Sequence, residues 1–251
     1  MRSLPFARSL RALLLAAGCA LAAPTVSAFS VFAIDADHSL KWGDNLNGTA
    51  GGTLRWSFIP AGTPGSAYCG TACPGLAQST LNIENSPGTG YSAVALTSLA
   101  DLIQATFDQW SSVADIRFVG PDDDNGLPIN DEEAGVPEIR IGVFAFGAGG
   151  GAVGFAPPPN GGTGAGDILF DANSFYAFQP GNDGDFFPAA STAPNDFVSL
   201  LLHEMGHALG LDHPAPGDAS CQVMDVSSAC LFRINLVLDV DDIAGARFLY
   251  G

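Results

Sequence analysis

Between Thr53 and Ile59 the chain reads TLRWSFI, in which Leu54, Trp56 and Phe58 alternate with Arg55 and Ser57. A period of two is that of a strand with one face buried. From Tyr91 the period changes. Leu96, Leu99, Ile103, Phe107 and Trp110 recur in steps of three and four, which places all five on one face of a core-packed helix. Ile116 to Val119 and Glu138 to Phe146 are short strand candidates, separated by the acidic stretch PDDDNGLPINDEEAG, expected as a solvated loop. GDILFD, residues 166–171, is a further short strand.

Near Asn195, taken as N-cap, a second helix is expected, with Phe197, Leu200, Leu201 and Met205 on its buried side. It should stop at Gly210, because glycine accepts the left-handed conformation that turns the chain. A third helix is expected at the end of the sequence, DVDDIAGARFLYG, where Asp239, Asp241 and Asp242 suit a helix N-terminus. Three stretches without periodicity, at about 60–90, 120–137 and 179–194, are expected as long loops.

Composition adds three constraints. The first 28 residues carry Arg2, Arg8 and Arg11, an apolar run from Leu13 to Ala23 and a Val26-Ser27-Ala28 ending, the form of a cleaved export signal. A lipoprotein anchor at Cys19 is the weaker reading, because the apolar run continues past that cysteine. We therefore expect a secreted or periplasmic protein. The formal charge is −17 for 251 residues, and loss of residues 1–28 makes it more negative. Such a surface repels nucleic acid and anionic membrane, and no later run is long and apolar enough for a membrane span. Besides Cys19 there are Cys69, Cys73, Cys221 and Cys230, an even number that in an oxidising compartment points to disulfides, with local pairing the simplest of three connectivities. One domain and a monomer are expected for the remaining length.

The chemistry is concentrated in HEMGHALGLDH, residues 203–213. On a helix, His203 and His207 are one turn apart and project from the same face, close enough to bind one ion. Gly210 lets the chain double back, so that His213 can supply a third nitrogen. Three neutral imidazoles leave a tetrahedral zinc with one open position and its full positive charge. Glu204 follows the first ligand and is placed to activate a zinc-bound water as general base. The bland reading, histidines on an ordinary helix, does not account for glycine and histidine at the seventh and tenth places after His203.

HEMGHALGLDH resembles the HExxHxxGxxH signature of the metzincin metallopeptidases, and its surroundings resemble the matrixin branch. The resemblance implies an α+β fold: a twisted mixed sheet of about five strands, an active-site helix, a backing helix and a C-terminal helix. It implies residues 29–251 as a single catalytic domain behind the signal segment 1–28, polypeptide substrates, and zinc on His203, His207 and His213 with Glu204 as the catalytic base. It also implies Met224, in CQVMDVSS, as the methionine of a turn beneath the zinc histidines, and AVGFA as an edge strand along which substrate lies extended.

The sequence departs from the pattern in several places. Leu169 stands where GDxHFD would carry a histidine of a second, structural zinc, and only His38 remains outside the motif. Asp167 and Asp171 match calcium-binding positions, but Ser174 replaces a glutamate ligand, so calcium and plain turn aspartates both stay open. Pro214 and the absence of a tyrosine two places after Met224 leave the branch between matrixin and serralysin open. The rival class is a non-catalytic exported adhesion or scaffold protein on a metzincin fold. Glu204 argues against it, since a structural metal has no need of a base beside an open position.

Overall fold

The computed structural model describes residues 29–69, 73–84, 91–93, 96–129, 131, 137–145, 151–159, 164–177, 182–186, 195–215, 221–230 and 233–251. The expected signal segment 1–28, with Cys19, lies outside the described residues, as do parts of all three expected long loops. In chain order the elements are β1 (Ser30–Val31), β2 (Gly52–Phe58), α1 (Ser66–Cys69), β3 (Asn82–Glu84), β4 (Tyr91–Ala93), α2 (Leu96–Ser111), β5 (Ile116–Asp122) and β6 (Ile139–Phe144). Then come β7 (Ala152–Gly154), β8 (Ile168–Asp171), β9 (Phe175–Ala177), β10 (Asn195–Asp196), α3 (Phe197–Leu209), β11 (Leu211–Asp212) and α4 (Val240–Tyr250).

The main sheet has five strands in the order β5-β2-β6-β8-β7, and it is mixed, as expected. β5, β2, β6 and β8 run parallel, whereas β7 pairs antiparallel with β8 and forms one edge. The helix read from Leu96 to Trp110 is α2, and its apolar stripe covers β2 and β5. Leu99, Ile103, Phe107 and Trp110 are all fully buried, and the Phe107 ring stacks on Phe118 at 4.3 Å. Burying a leucine, isoleucine or phenylalanine contributes about 1.5–3 kcal/mol, so this face holds the helix to the sheet. Trp56, also buried, donates its indole N–H to Gln104 Oε1 at 2.8 Å, so its polar atom is satisfied.

Three expectations need correction. The stretch 60–90 is not simply a loop: it holds α1, a single 3₁₀ turn at Gln78–Thr80, and β3. β3 joins a second sheet, β10-β9-β3-β4. Strands this short show no periodicity, because their partners come from far along the chain. The N-cap of α3 is Asp196, not Asn195: its side chain accepts the Ser199 N–H at 2.8 Å. The acidic loop after β5 is not wholly solvated either, because Asp124 is buried against Arg140.

That pair forms a polar cluster inside the sheet region. Arg140 donates from Nε and Nη2 to the two oxygens of Asp124, both at 2.7 Å, and both side chains are 1% exposed. Ser57 Oγ donates to Asp124 at 2.7 Å, and the Arg140 backbone N–H donates to Asp167 Oδ1 at 2.9 Å. Burial pushes the Asp124 carboxyl up, but the Arg140 guanidinium, the Gly126 N–H and the Ser57 hydroxyl together hold it below its ordinary value. Asp167, deeper still, is pushed up to about 8 by burial, against the opposing pull of Arg140.

Candidate metal centre

α3 carries the site. Its N-terminus is fixed by Asp196, which also accepts the Ser199 hydroxyl at 2.6 Å; that hydroxyl in turn accepts the Asn235 N–H at 2.8 Å. At its other end Gly210 is left-handed, with φ 104°. A Cβ there would lie 2.2 Å from the Leu40 carbonyl oxygen, so both backbone conformation and close approach require glycine. The chain then enters β11, which pairs antiparallel with β1, and His213 follows at once.

The turn brings the three histidines together. His213 Nε2 lies 3.1 Å from His203 Nε2 and 3.0 Å from His207 Nε2. His203 Nδ1 is 2.8 Å from the Val223 carbonyl, and His207 Nδ1 is 2.9 Å from the Leu211 carbonyl. A carbonyl only accepts, so both Nδ1 atoms carry the proton and both Nε2 atoms turn a lone pair toward the centre. A single proton on His213 Nε2 could satisfy one of these two contacts but not both, whereas a cation can be shared by all three nitrogens. Tetrahedral zinc at its usual bond length sets nitrogens about 3.3 Å apart, a few tenths wider than here, so the donor set fits zinc. Burial, with the neighbouring imidazoles, pushes His203 down to about 3, and burial pushes His207 below its ordinary value; both are therefore neutral, the form that a ligand needs.

Glu204 is 5% exposed, and one carboxylate oxygen accepts the Gly154 N–H at 2.6 Å. Burial pushes its carboxyl up to about 7, against that N–H. Gly154 belongs to edge strand β7, and a Cβ on it would lie 2.3 Å from the Glu204 carbonyl oxygen, so the strand approaches α3 this closely only at a glycine. Met224 is buried, and its Sδ would lie 2.3 Å from a Cβ added to Gly206, inside the HEMGH segment. The Val223 and Met224 N–H groups donate to Asp242 of α4 at 3.0 and 3.3 Å. Asp242 also accepts the Asp239 N–H, completing a capping box.

A family model described as Matrixin matches residues 80–251. The chain belongs to the matrixin family. Among curated proteins it is similar to human matrix metalloproteinase-16, 29% identical over 160 residues that make up 59% of this chain and 23% of that protein. It is similar to metalloendoproteinase 4-MMP of Arabidopsis thaliana, 26% identical over 171 residues, 63% of this chain and 42% of that protein. It also matches a putative matrix metalloproteinase of Spodoptera frugiperda ascovirus 1a, 35% identical over 102 residues, 40% of this chain and 25% of that protein. The chain thus spans less than half the length of these relatives.

Other residues singled out in this matrixin fall in distinct places. Cys69 pairs with Cys73 and Cys221 with Cys230, the two local disulfides. The second bridge closes the loop that contains Val223 and Met224. Leu169 is fully buried in an apolar cluster with Ile59, Phe144, Ile129 and Cys73. Asp167 and Asp171 flank and end β8, about 13 Å apart at strand rise, so they do not meet at one point. Asp171 accepts the Asn173 N–H at 3.1 Å and the Ser174 hydroxyl at 3.3 Å, the contacts of a turn aspartate. Gly206, Asp242 and the carbonyls of Val223 and Leu211 were not foreseen as part of the site. Asp242 was legible only as a capping residue, and a backbone carbonyl leaves no trace in sequence.

Proposed function

We propose that this matrixin is an exported zinc-dependent endopeptidase that acts on extended polypeptide. The observation that carries the reading is the convergence of three imidazole Nε2 atoms, two with fixed lone pairs, on a helix that also carries the buried Glu204 carboxylate. His203, His207 and His213 would hold the ion. Zinc there supplies a Lewis acid that polarises a peptide carbonyl and lowers the pKa of water. Glu204 takes the proton from the attacking water and returns it to the departing amine. The Gly154 N–H holds the carboxylate at the edge strand, where a substrate backbone can pair with β7. Pairing through the main chain would make cleavage tolerant of sequence.

Export is supported by the character of residues 1–28 and by the two disulfides. No helix among the described residues is long and apolar enough to cross a membrane. We take the chain as a monomer. For calcium, Asp167 and Asp171 would have to serve separate ions; a rise in melting temperature with added calcium after chelation would support that part, and none would remove it.

Glu204→Gln decides between a peptidase and a metal-binding scaffold. The variant should keep one zinc per chain and lose nearly all cleavage of an unstructured protein substrate. Equal cleavage by variant and parent would exclude the mechanism.

A further inference from the structure

The last four carbonyls of an α-helix have no donor within the helix, and at the end of α3 they lie directly before the turn that returns His213. The Gly210 N–H serves Gly206 and His207. The next three carbonyls are served from remote parts of the chain. Ala208 accepts the Trp42 indole N–H at 2.8 Å, Leu209 accepts the Tyr250 hydroxyl at 2.7 Å, and Gly210 accepts the Phe32 backbone N–H at 3.0 Å. The Tyr250 hydroxyl also accepts the Trp42 backbone N–H at 3.2 Å, which joins two of the three donors into one unit. Both side chains are buried, so water does not replace these bonds. Behind them the Lys41 ammonium lies 4.9 Å from the centroid of the Tyr250 ring, and the Phe32 ring lies 5.8 Å from that of His207.

We propose that Trp42 and Tyr250 are positioning residues for the metal centre. They fix the direction in which the backbone leaves α3, and so the place from which His213 reaches the other two ligands. Neither touches substrate or metal. The inference rests on the reading that the three histidines hold zinc, and it goes beyond that reading by placing control of the third ligand in residues from opposite ends of the described chain.

Tyr250→Phe removes only the hydroxyl. Zinc affinity, measured by competition with a chromophoric chelator, should fall about tenfold, the scale typical when a partner that orients a metal ligand is lost. The cobalt(II)-substituted variant at saturation should show altered visible bands, because the geometry of the third nitrogen changes. Ile83→Val, a core change in the second sheet, serves as control: it should lower the melting temperature and leave zinc affinity and cobalt bands unchanged. If Tyr250→Phe does not fold, Trp42→Phe, which removes the donor at Ala208, is read in the same way. A variant with a lower melting temperature but parent-like zinc affinity and cobalt spectrum overturns the proposal while leaving the zinc reading intact. A parent chain that takes up no zinc overturns both.

Discussion

Two polar clusters lie within this domain, one with its side chains buried and one reaching solvent at His213, and they handle charge in opposite ways. In the cluster of Asp124, Arg140 and Asp167 the cation is part of the chain: a guanidinium grips one carboxylate with two bonds of 2.7 Å, and its own backbone N–H holds the other. At the end of α3 the chain brings together imidazole nitrogens, His213 Nε2 lying about 3 Å from both His203 Nε2 and His207 Nε2, with Glu204 next in sequence to the first of them. Both carboxylates of the first cluster are held by Arg140, while Arg140 Nη1 and Asp167 Oδ2 are buried without a hydrogen-bond partner among the described residues. The second could hold a metal ion on His203, His207 and His213. The contrast is between buried charge neutralised within the fold and a set of imidazoles that an added cation could complete.

His207→Ala should weaken zinc binding by more than about a hundredfold, beyond the loss usual for a partner of a ligand, with the far-ultraviolet circular dichroism of the apo chain unchanged. Arg140→Met should keep one zinc per chain but lower the free energy of unfolding in urea by about 3–5 kcal/mol, since it leaves Asp124 buried and unpaired. Loss of zinc in Arg140→Met without loss of stability would erase the distinction. Gly206→Ala should cost about 1–3 kcal/mol, because its methyl group would drive into Met224 Sδ. The effect should appear in thermal melts of both apo and zinc-loaded protein.

The smallest effect concerns the one histidine outside the centre. His38 is exposed and bonded to Asp35 at 2.8 Å, and that bond raises its pKa, the reverse of the fall at His203. A raised folded pKa means that the pair stabilises while His38 is charged, fully below about 6.5, and that this is lost as pH rises through the folded value. As an exposed pair it should contribute little to stability. The test is therefore an NMR titration: in Asp35→Asn, His38 should titrate at lower pH than in the parent, and no change would refute the assignment.

What the sequence made legible follows from how far each signal travels along the chain. The alternation in TLRWSFI and the stripe from Leu96 to Trp110 are local, and β2 and α2 appear within a residue or two of them. The ligand spacing in HEMGHALGLDH is local as well, which is why its three histidines could be gathered before any coordinates. By contrast β3, β4, β9 and β10 are two or three residues long, and Ile83 finds Tyr176 as its neighbour only in three dimensions. The mistaken N-cap has a different origin: Asn195 and Asp196 are adjacent and both are good caps, so only the hydrogen bond to Ser199 distinguishes them. The acidic run after β5 looked uniformly hydrated because nothing local marks Asp124, rather than Asp122 or Asp123, as the partner of Arg140.

Lys41 is the single lysine of the sequence, and it is buried, with its ammonium donating to the carbonyls of Trp42, Asp44 and Thr49 and to the Thr49 hydroxyl. A reagent that acylates side-chain amines therefore finds no reactive lysine on the native chain and one on the denatured chain. The protein carries its own folding reporter: the rate of labelling at Lys41, followed by mass, counts openings of the segment that braces the end of α3. Since the modified ammonium loses its charge, each such opening would also be trapped by the label that records it.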